Sequence, residues 1–528
     1  MGKVARYLNQ LTVGNVFDAP DVLEQYATDR SILRVKPKYV ALPETTEDVR
    51  KLMRFCHQLA TKGIRIPVTV WGSGMDEMGA DLSNQLLIST EKLNHLLEMD
   101  KREHLVRVQA GITLKELNTA LSLDGMTIPI GGHDNETIGG IISNCPTDSW
   151  SGKYGGIMNY VERVEVVLPN GDVLQTNRLS RHIVKKKSKE KTFEGDIYNR
   201  IHRLIAKNGD LVKKIKAEET SSYGYPTIAQ VEQKGTLDLM PLFFGAEGTL
   251  GVITEVIIRA VPLVRETKRV AATFEDFDMA KKFLDLANSL KPRELDIYDL
   301  KIIKTAEETG KRLSELTKKM GDDGFVVFAK YDHKAARALR KIASIEKVLP
   351  PSVKLLIESP KNTVQLDEFE NSLVSFLNQA RSGERVPILT DFYLPAGNIQ
   401  AFLKDIEVLG KSLGLDFAIF GSYAASNYSL RPKIKLDDKE LAKKVVTLLR
   451  TGAFIINRQG GSLTGGAPEG RIKAMVTNDD MSEAEKRFYL EIKLIFDRHN
   501  IMNPAVKLGA DTRFTLRHFR ENPSKVTV

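Results

Sequence analysis

Three separated glycine-dense stretches constrain this chain more than any other feature. Val70–Asp81 reads VWGSGMDEMGAD, Thr137–Gly155 reads TIGGIISNCPTDSWSGKYG, and Phe243–Val256 reads FFGAEGTLGVITEV. Each abuts a β-branched run, so each is expected as a loop at a strand edge. Glycine tolerates positive φ and lets backbone N–H groups approach a ligand closely. Successive exposed N–H groups form a concavity suited to phosphate. One such loop would say little; three together predict a long ligand carrying a pyrophosphate.

A chain of 528 residues has room for two or three domains. Its net charge of +9 comes from 77 basic residues mixed with 68 acidic ones. That balance fits a mildly basic enzyme better than a nucleic-acid binder, so no specific nucleic acid is expected as partner. No apolar run reaches the roughly 18 residues of a membrane helix. The opening MGKVARYLNQLTVGNVFDAP lacks a secretory apolar core, a cleavage site and a myristoylation serine or threonine. The expected location is therefore cytoplasmic. Two cysteines, Cys56 and Cys145, make neither a disulfide framework nor a zinc site. Cys56 falls on a helical pattern; Cys145 lies beside the second glycine stretch, as packing or near the ligand. The basic run Lys185–Lys191 (KKKSKEK) reads as a solvated loop. Its sharper reading is peripheral contact with an anionic inner membrane face, or with RNA.

Residues 38–122 alternate strand and helix patterns, as in a mixed α/β unit. YVERVEVVLPNGDVLQT predicts a hairpin turning at Pro169-Asn170-Gly171. A charged insertion, about 178–220, precedes the third glycine stretch. Beyond residue 265 longer helical patterns alternate with short strands, predicting a second domain over 266–480. Residues 481–528 contain a further amphipathic helix and a tail, IMNPAVKLG, that turns back toward the rest.

Gly72, Gly74 and Gly79 have GxGxxxxG spacing rather than GxGxxG, and no capped helix follows directly, which excludes a classical dinucleotide fold. No GxxxxGK[ST] occurs, which excludes a P-loop. Taken together, the stretches resemble the vanillyl-alcohol-oxidase type of FAD enzymes with their PCMH-type flavin domain. PVTVWGSGMDEMGA resembles that family's pyrophosphate loop, and TIGGIISNCPTDSWSGKYG resembles the segment lining the flavin and ribityl chain. GAEGTLGVITEV is similar almost letter for letter to its third block, and PETTEDVRKLM resembles the opening helix. The resemblance is ordered over 38–265 and continues more loosely through DFYLP (Asp391–Pro395), GSYAASN (Gly421–Asn427), Gly460-Gly461-Ser462 and IFDRHNIMNPAVKLG. These are similar to FAD-linked 2-hydroxy acid dehydrogenases, including D-lactate dehydrogenases and glycolate oxidase subunits.

The resemblance implies an α+β fold: a two-subdomain FAD-binding domain over 1–265, an α+β (ferredoxin-like) substrate cap, and a C-terminal return to the FAD domain. It implies that Trp71, Gly72, Ser73, Gly74, Met75 and Asp76 cradle the pyrophosphate. Thr137, Gly139, Gly140, Asn144, Tyr154 and Gly155 would line the ribityl chain and ring. Gly248, Gly251, Val252 and Ile253 would hold the adenine side or the pyrimidine edge. The 2-hydroxy acid subgroup carries metal-binding histidines where this chain has Ser422 and Ser429, and Glu-His-Gly where it has Gly466-Ala467-Pro468. Asn427, Arg471 and Lys473 match. Serine, glycine and alanine cannot assemble an imidazole–carboxylate cluster, so no catalytic metal is expected.

Oxidation of a CH–OH carbon then needs another base. Tyr423 and Tyr428 are candidates if a cation lowers their pKa, and Arg431 could do so or hold a substrate carboxylate. His133 is expected beside the flavin loop, as a contact or as a turn residue. Histidyl-linked relatives carry histidine in the first loop, where this chain has Met75, so FAD is expected to be non-covalent. The expected reaction is oxidation of a small hydroxylated substrate, a 2-hydroxy acid such as D-lactate or glycolate first and a polyol or sugar alcohol second. Oxygen, a quinone or a redox protein would accept the electrons. A flavin-binding subunit without turnover of its own is the reading from a different class.

Overall fold

Pairing direction separates two sheets in the first half of the chain. The computed structural model describes residues 2–218, 223–308, 320, 323–346, 349–377 and 385–520. Strands Tyr39–Leu42 and Val68–Trp71 flank Leu86–Ser89 in parallel, with Asn15–Phe17 antiparallel at the edge. Parallel neighbours need crossovers. Helix Thr46–Thr61 supplies one, started by Thr45, whose hydroxyl accepts the Asp48 N–H. Its apolar face, including Cys56, is buried against Ala41, Val68 and Ile88. Cys56 is therefore a packing residue, its thiol pushed up to about 12 by burial.

The second sheet is antiparallel, in the order Leu96–Asp100, Leu105–Gln109, Val252–Arg259, Val161–Val167, Val173–Gln175. The predicted hairpin is its Val161–Val167/Val173–Gln175 pair, with Val167 opposite Val173. Val252–Arg259 enters between strands that precede it by some 90 to 150 positions in sequence. That insertion carries the third glycine stretch to the other two.

The charged insertion is helical over much of its described residues, to 218, where a solvated loop was expected at Lys185–Lys191. It forms helices Arg181–Lys187, Phe193–Lys207 and Gly209–Ala217. Ile197, Ile201, Leu204 and Ile205 recur at helical spacing and are buried in one core with helix Glu483–Phe496. Lys185–Lys187 close the first of these helices, and Lys187 pairs with Glu194 at 2.5 Å. No helix among the described residues is long and apolar enough to cross a membrane.

The rest of the chain is built on a seven-stranded antiparallel sheet. Its order is Leu355–Ile357, Lys268–Phe274, Phe325–Tyr331, Glu294–Asp299, Asp416–Ser422, Asn427–Lys433, Leu389–Tyr393. Strand alternation divides its residues cleanly. Leu295, Ile297, Ile419, Tyr428 and Leu430 face a core shared with helices Phe277–Ser289, Ala335–Ile345, Ile399–Leu413 and Leu441–Arg458. Glu294, Asp296, Ser422, Asn427, Ser429 and Arg431 face the other way, on a side that helices Leu300–Glu308 and Thr363–Leu377 cover in part and that reaches the first half through Glu294, Asn427 and Arg431. The last segment returns as expected: the Val68 N–H donates to Ile501 O at 2.7 Å and the Asn503 N–H to Val68 O at 2.8 Å. On the start of the seven-stranded sheet at Lys268 and the packing of helix Glu483–Phe496 into the first half, we propose domain limits near residues 265 and 480.

Candidate functional site

The three glycine stretches converge on one cleft of about 840 Å³, open mouth included. From the first stretch Gly72, Ser73, Gly74, Met75 and Asp76 line it; from the second, Thr137, Gly139, Gly140 and Asn144; from the third, Gly248, Gly251 and Ile253. The second stretch is not all loop. Residues Ile138–Asn144 form a short helix, with Thr137 Oγ1 accepting the Gly140 N–H at 3.2 Å. Among the described residues none accepts a hydrogen bond from the N–H of Ser73, Gly74 or Met75. Unpaired N–H groups on the wall of a cleft fit a pyrophosphate. The residues present therefore fit FAD.

Four of the residues expected at the cofactor lie elsewhere. Trp71 is buried beneath the loop, edge-on to Tyr26 at 5.5 Å. Val252 alternates with Ile253 and points into the core of the parallel sheet. Tyr154 donates its hydroxyl to Asp332, which also pairs with Lys153, so this segment ties the first half to the seven-stranded sheet. Gly155 closes helix Ser151–Tyr154. His133 serves a turn, its Nδ1 accepting the Asn135 N–H at 3.1 Å. Cys145 caps the helix at φ +44, and burial raises its thiol to about 12, far from a reactive thiolate.

The cleft is also acidic, which the glycine pattern did not signal. Asp76, Asp81, Glu136 and Glu247 line it. Burial raises Asp76 to about 6 and Glu136 and Glu247 to about 7. Asp29, Asp76 and Asp81 bring carboxylate oxygens within 4.8 Å of one another. Arg520 lies 3.9 Å from Asp29, and the charge of Arg471 is also felt there.

Glu136 gives a signed expectation. Its carboxyl holds a proton in the fold between about pH 4 and 7, where the unfolded chain has released it, so its share of stability is lost as pH rises through that window. Glu136→Gln is expected to raise stability by on the order of 2 kcal/mol at about pH 8 and to change little at about pH 5. Thermal melting at the two pH values checks this, and equal effects at both would contradict it.

Above the cleft lies the polar face of the seven-stranded sheet. Three contacts seat it there. Arg431 pairs with Glu77 of the first glycine stretch, Asn427 Nδ2 donates to Thr147 O, and Trp150 Nε1 donates to Glu294 Oε1 at 2.8 Å. Arg431 is thus at the site, but already neutralised. The two tyrosines are not. Tyr423 and Tyr428 face the opposite, helix-covered side, Tyr423 bonded to Asp285 at 2.5 Å and Tyr428 with its hydroxyl buried and unpartnered. Burial raises both phenols, then Asp285 for Tyr423 and Tyr423 for Tyr428, the reverse of the lowering a base requires. Neither hydroxyl is placed at the cleft. Lys473 is wholly buried, its Nζ donating to Ala467 O at 3.3 Å, and burial lowers its pKa.

The C-terminal return locks the third glycine stretch. Lys507 Nζ bonds Glu469 at 2.6 Å and Glu247 at 3.3 Å, all three buried. Asn503 donates to Glu247 O at 2.8 Å and to Ala80 O at 2.7 Å, joining the first and third stretches.

Two family models match, the FAD binding domain over residues 37–177 and the FAD linked oxidases, C-terminal domain, over 263–506. The chain is 24% identical over 509 residues to D-2-hydroxyglutarate dehydrogenase of Pantoea ananatis, covering 91% of this chain and 48% of that protein. It thus spans about half the length of that relative. It is 23% identical to glycolate oxidase subunit GlcD of Bacillus subtilis, covering 90% of each chain. Among solved structures, 4-ethylphenol oxidase from Gulosibacter chungangensis has the same fold at a TM-score of 0.67 and 16% identity, covering 94% of this chain and 95% of that one. With both domain models matched in order around a cleft that fits FAD, the chain belongs to the FAD-linked oxidases.

Proposed function

We propose that this chain oxidises the CH–OH carbon of a small hydroxylated molecule, a 2-hydroxy acid such as D-lactate or glycolate in the first instance. The observation that carries this reading is the polar face of the cap sheet lying against the FAD cleft through Arg431–Glu77, Asn427–Thr147 and Glu294–Trp150. Such a site binds an alcohol between fixed polar groups and the cofactor, with water held out by the buried sheet. When bound, FAD supplies the two-electron hydride acceptor. Ser73, Gly74 and Met75 would hold its pyrophosphate through backbone N–H groups, and the helix from Ile138 would carry the ring side. The described residues lining the cleft include neither histidine nor cysteine, which supports non-covalent attachment.

A second reading, a polyol or sugar alcohol, draws on charge. Arg431 is engaged by Glu77, and Glu294 and Asp296 share its face. An uncharged substrate needs no free cation there.

The test begins with acid precipitation of the purified protein, which is expected to release the flavin into the supernatant. Anaerobic mixing with glycolate, D-lactate, D-2-hydroxyglutarate, glycerol and xylitol follows. Bleaching of the visible flavin band by an acid or by a polyol would decide between the two readings. A protein that holds FAD yet is bleached by none would leave a flavin-binding subunit without turnover.

A further inference from the structure

Strand register places Asp296, Ser422 and Asn427 in a row across three neighbouring strands. Asp296 opposes Ser422, and Ser422 opposes Asn427. Directly opposed residues share a face, here the one turned toward the FAD-binding half. Each is more than nine-tenths buried, at 8%, 6% and 8% exposure. Each also has an oxygen with no hydrogen-bond partner among the described residues: Asp296 Oδ1, Ser422 Oγ and Asn427 Oδ1. An unsatisfied buried polar atom is costly, and such atoms are rare enough that three in one row call for an explanation.

The remaining atoms of these side chains are held in place. Asn427 Nδ2 donates to Thr147 O and, at 3.3 Å, to Asp391 Oδ1, which leaves its carbonyl oxygen unpartnered, beside Gly466. Tyr298 donates to Asp296 Oδ2 at 3.4 Å. Ser422 lies close beside the Asp296 carboxyl without making a hydrogen bond of good geometry to it. The row is flanked by the contacts that seat the sheet, Glu294–Trp150 on one side and Arg431–Glu77 on the other. All three open atoms accept hydrogen bonds. Hydroxyl hydrogens complement them, whereas an isolated carboxylate would find only the serine proton.

Resting on the CH–OH reading above, we propose that this row is the alcohol-binding wall of the site, and that Asp296 is the base that takes the hydroxyl proton. The O–H bond breaks and its proton passes to Asp296 Oδ1. The C–H electron pair leaves as hydride to FAD, the two-electron oxidant, and the C–O bond becomes a carbonyl. Ser422 and Asn427 orient the hydroxyl-bearing carbons. Burial, then the charges of Glu294 and Glu370, hold the Asp296 carboxyl well above its ordinary pKa, while Ser422 and Tyr298 ease the shift. Once ionised, a carboxylate so raised is a stronger proton acceptor than an exposed one.

The experiment uses the FAD-loaded wild type and the variants Asp296→Asn, Asp296→Glu and Ser422→Ala. The probes are glycolate, D-lactate, glycerol and xylitol, mixed anaerobically. Asp296→Asn is expected to keep its FAD and its melting temperature while the bleaching rate falls about 10²- to 10⁴-fold and loses its pH dependence. Asp296→Glu should recover part of the rate. A second readout needs no turnover: with the flavin reduced beforehand, the Asp296 carboxyl band in the infrared should shift on adding the donor and be absent from Asp296→Asn. Should that variant fail to fold, Ser422→Ala must still weaken donor binding several-fold with its pH profile unchanged. Bleaching of Asp296→Asn at the wild-type rate, or unchanged donor affinity in Ser422→Ala, overturns this assignment alone. Failure of every probe to bleach the wild type overturns the CH–OH reading and the assignment with it.

Discussion

Lys507→Met is expected to cost about 3–5 kcal/mol of stability and to strip FAD from the protein, because it leaves two buried carboxylates without their cation. Lys507 lies between Glu469 at 2.6 Å and Glu247 at 3.3 Å, with all three side chains at 2% exposure or less. The carboxylates are otherwise held by single backbone donors, Gly224 N–H to Glu469 at 2.8 Å and Gly470 N–H to Glu247 at 2.7 Å. Glu247 immediately precedes Gly248 on the cleft wall, so relaxation of the carboxylate moves the wall itself. Glu247 already stands near 7 through burial, with Lys507 the chief influence lowering it. Without Lys507 its pKa climbs further, so the variant regains stability as pH falls. Denaturant midpoints with flavin content, at about pH 5 and about pH 8, check this. Adding Glu469→Gln to the variant should restore much of the loss. A loss below about 1 kcal/mol at both pH values would show that the triad does not hold the cleft.

How far the sequence could be read depends on whether the information was local. The three glycine stretches announced the cleft because each loop's chemistry lies within a dozen residues, and 12 of the expected lining residues are on its wall. The helix Ile138–Asn144 was hidden by its two glycines, which lower helix propensity; the Thr137 cap is the signal that could have revealed it. Residues 178–220 read as a charged interruption because lysine dominates, yet the apolar spacing of Ile197, Ile201, Leu204 and Ile205 was there to be seen. The tyrosines were a parity error. Asn427, Ser429 and Arg431 alternate with Tyr428 along one strand, so only one set can face the cleft, and matching residues to a family block does not say which. Asp296 had no local signal at all. Its place opposite Ser422 depends on pairing between strands more than 100 residues apart, and the Lys507–Glu247–Glu469 triad likewise joins three distant segments.

The glycine cradle itself yields the other large effect, and it separates backbone conformation from space. Gly74 has φ +69, and a Cβ built there would lie 2.4 Å from Trp71 Cζ2. Alanine would take on about 1–2 kcal/mol of left-handed strain and would also have to displace the indole. That ring cannot yield easily, being 8% exposed and packed edge-on against Tyr26. The loop must shift instead, carrying the N–H groups of Ser73 and Met75 out of line. Gly74→Ala is therefore expected to weaken FAD binding about 100-fold, a change of roughly 2.8 kcal/mol. Gly248 also has positive φ, +66, but the nearest atom to an added Cβ is Val70 Cγ2 at 3.6 Å. Gly248→Ala carries the strain without the clash and should cost about tenfold. An added Cβ at Gly156 meets nothing within 4 Å, so Gly156→Ala should bind FAD as the wild type does. Fluorescence titration of the deflavinated proteins with FAD measures all three. Equal affinities for Gly74→Ala and Gly156→Ala would mean that the first stretch does not grip the cofactor, and the pyrophosphate would then have to be sought along the second stretch instead.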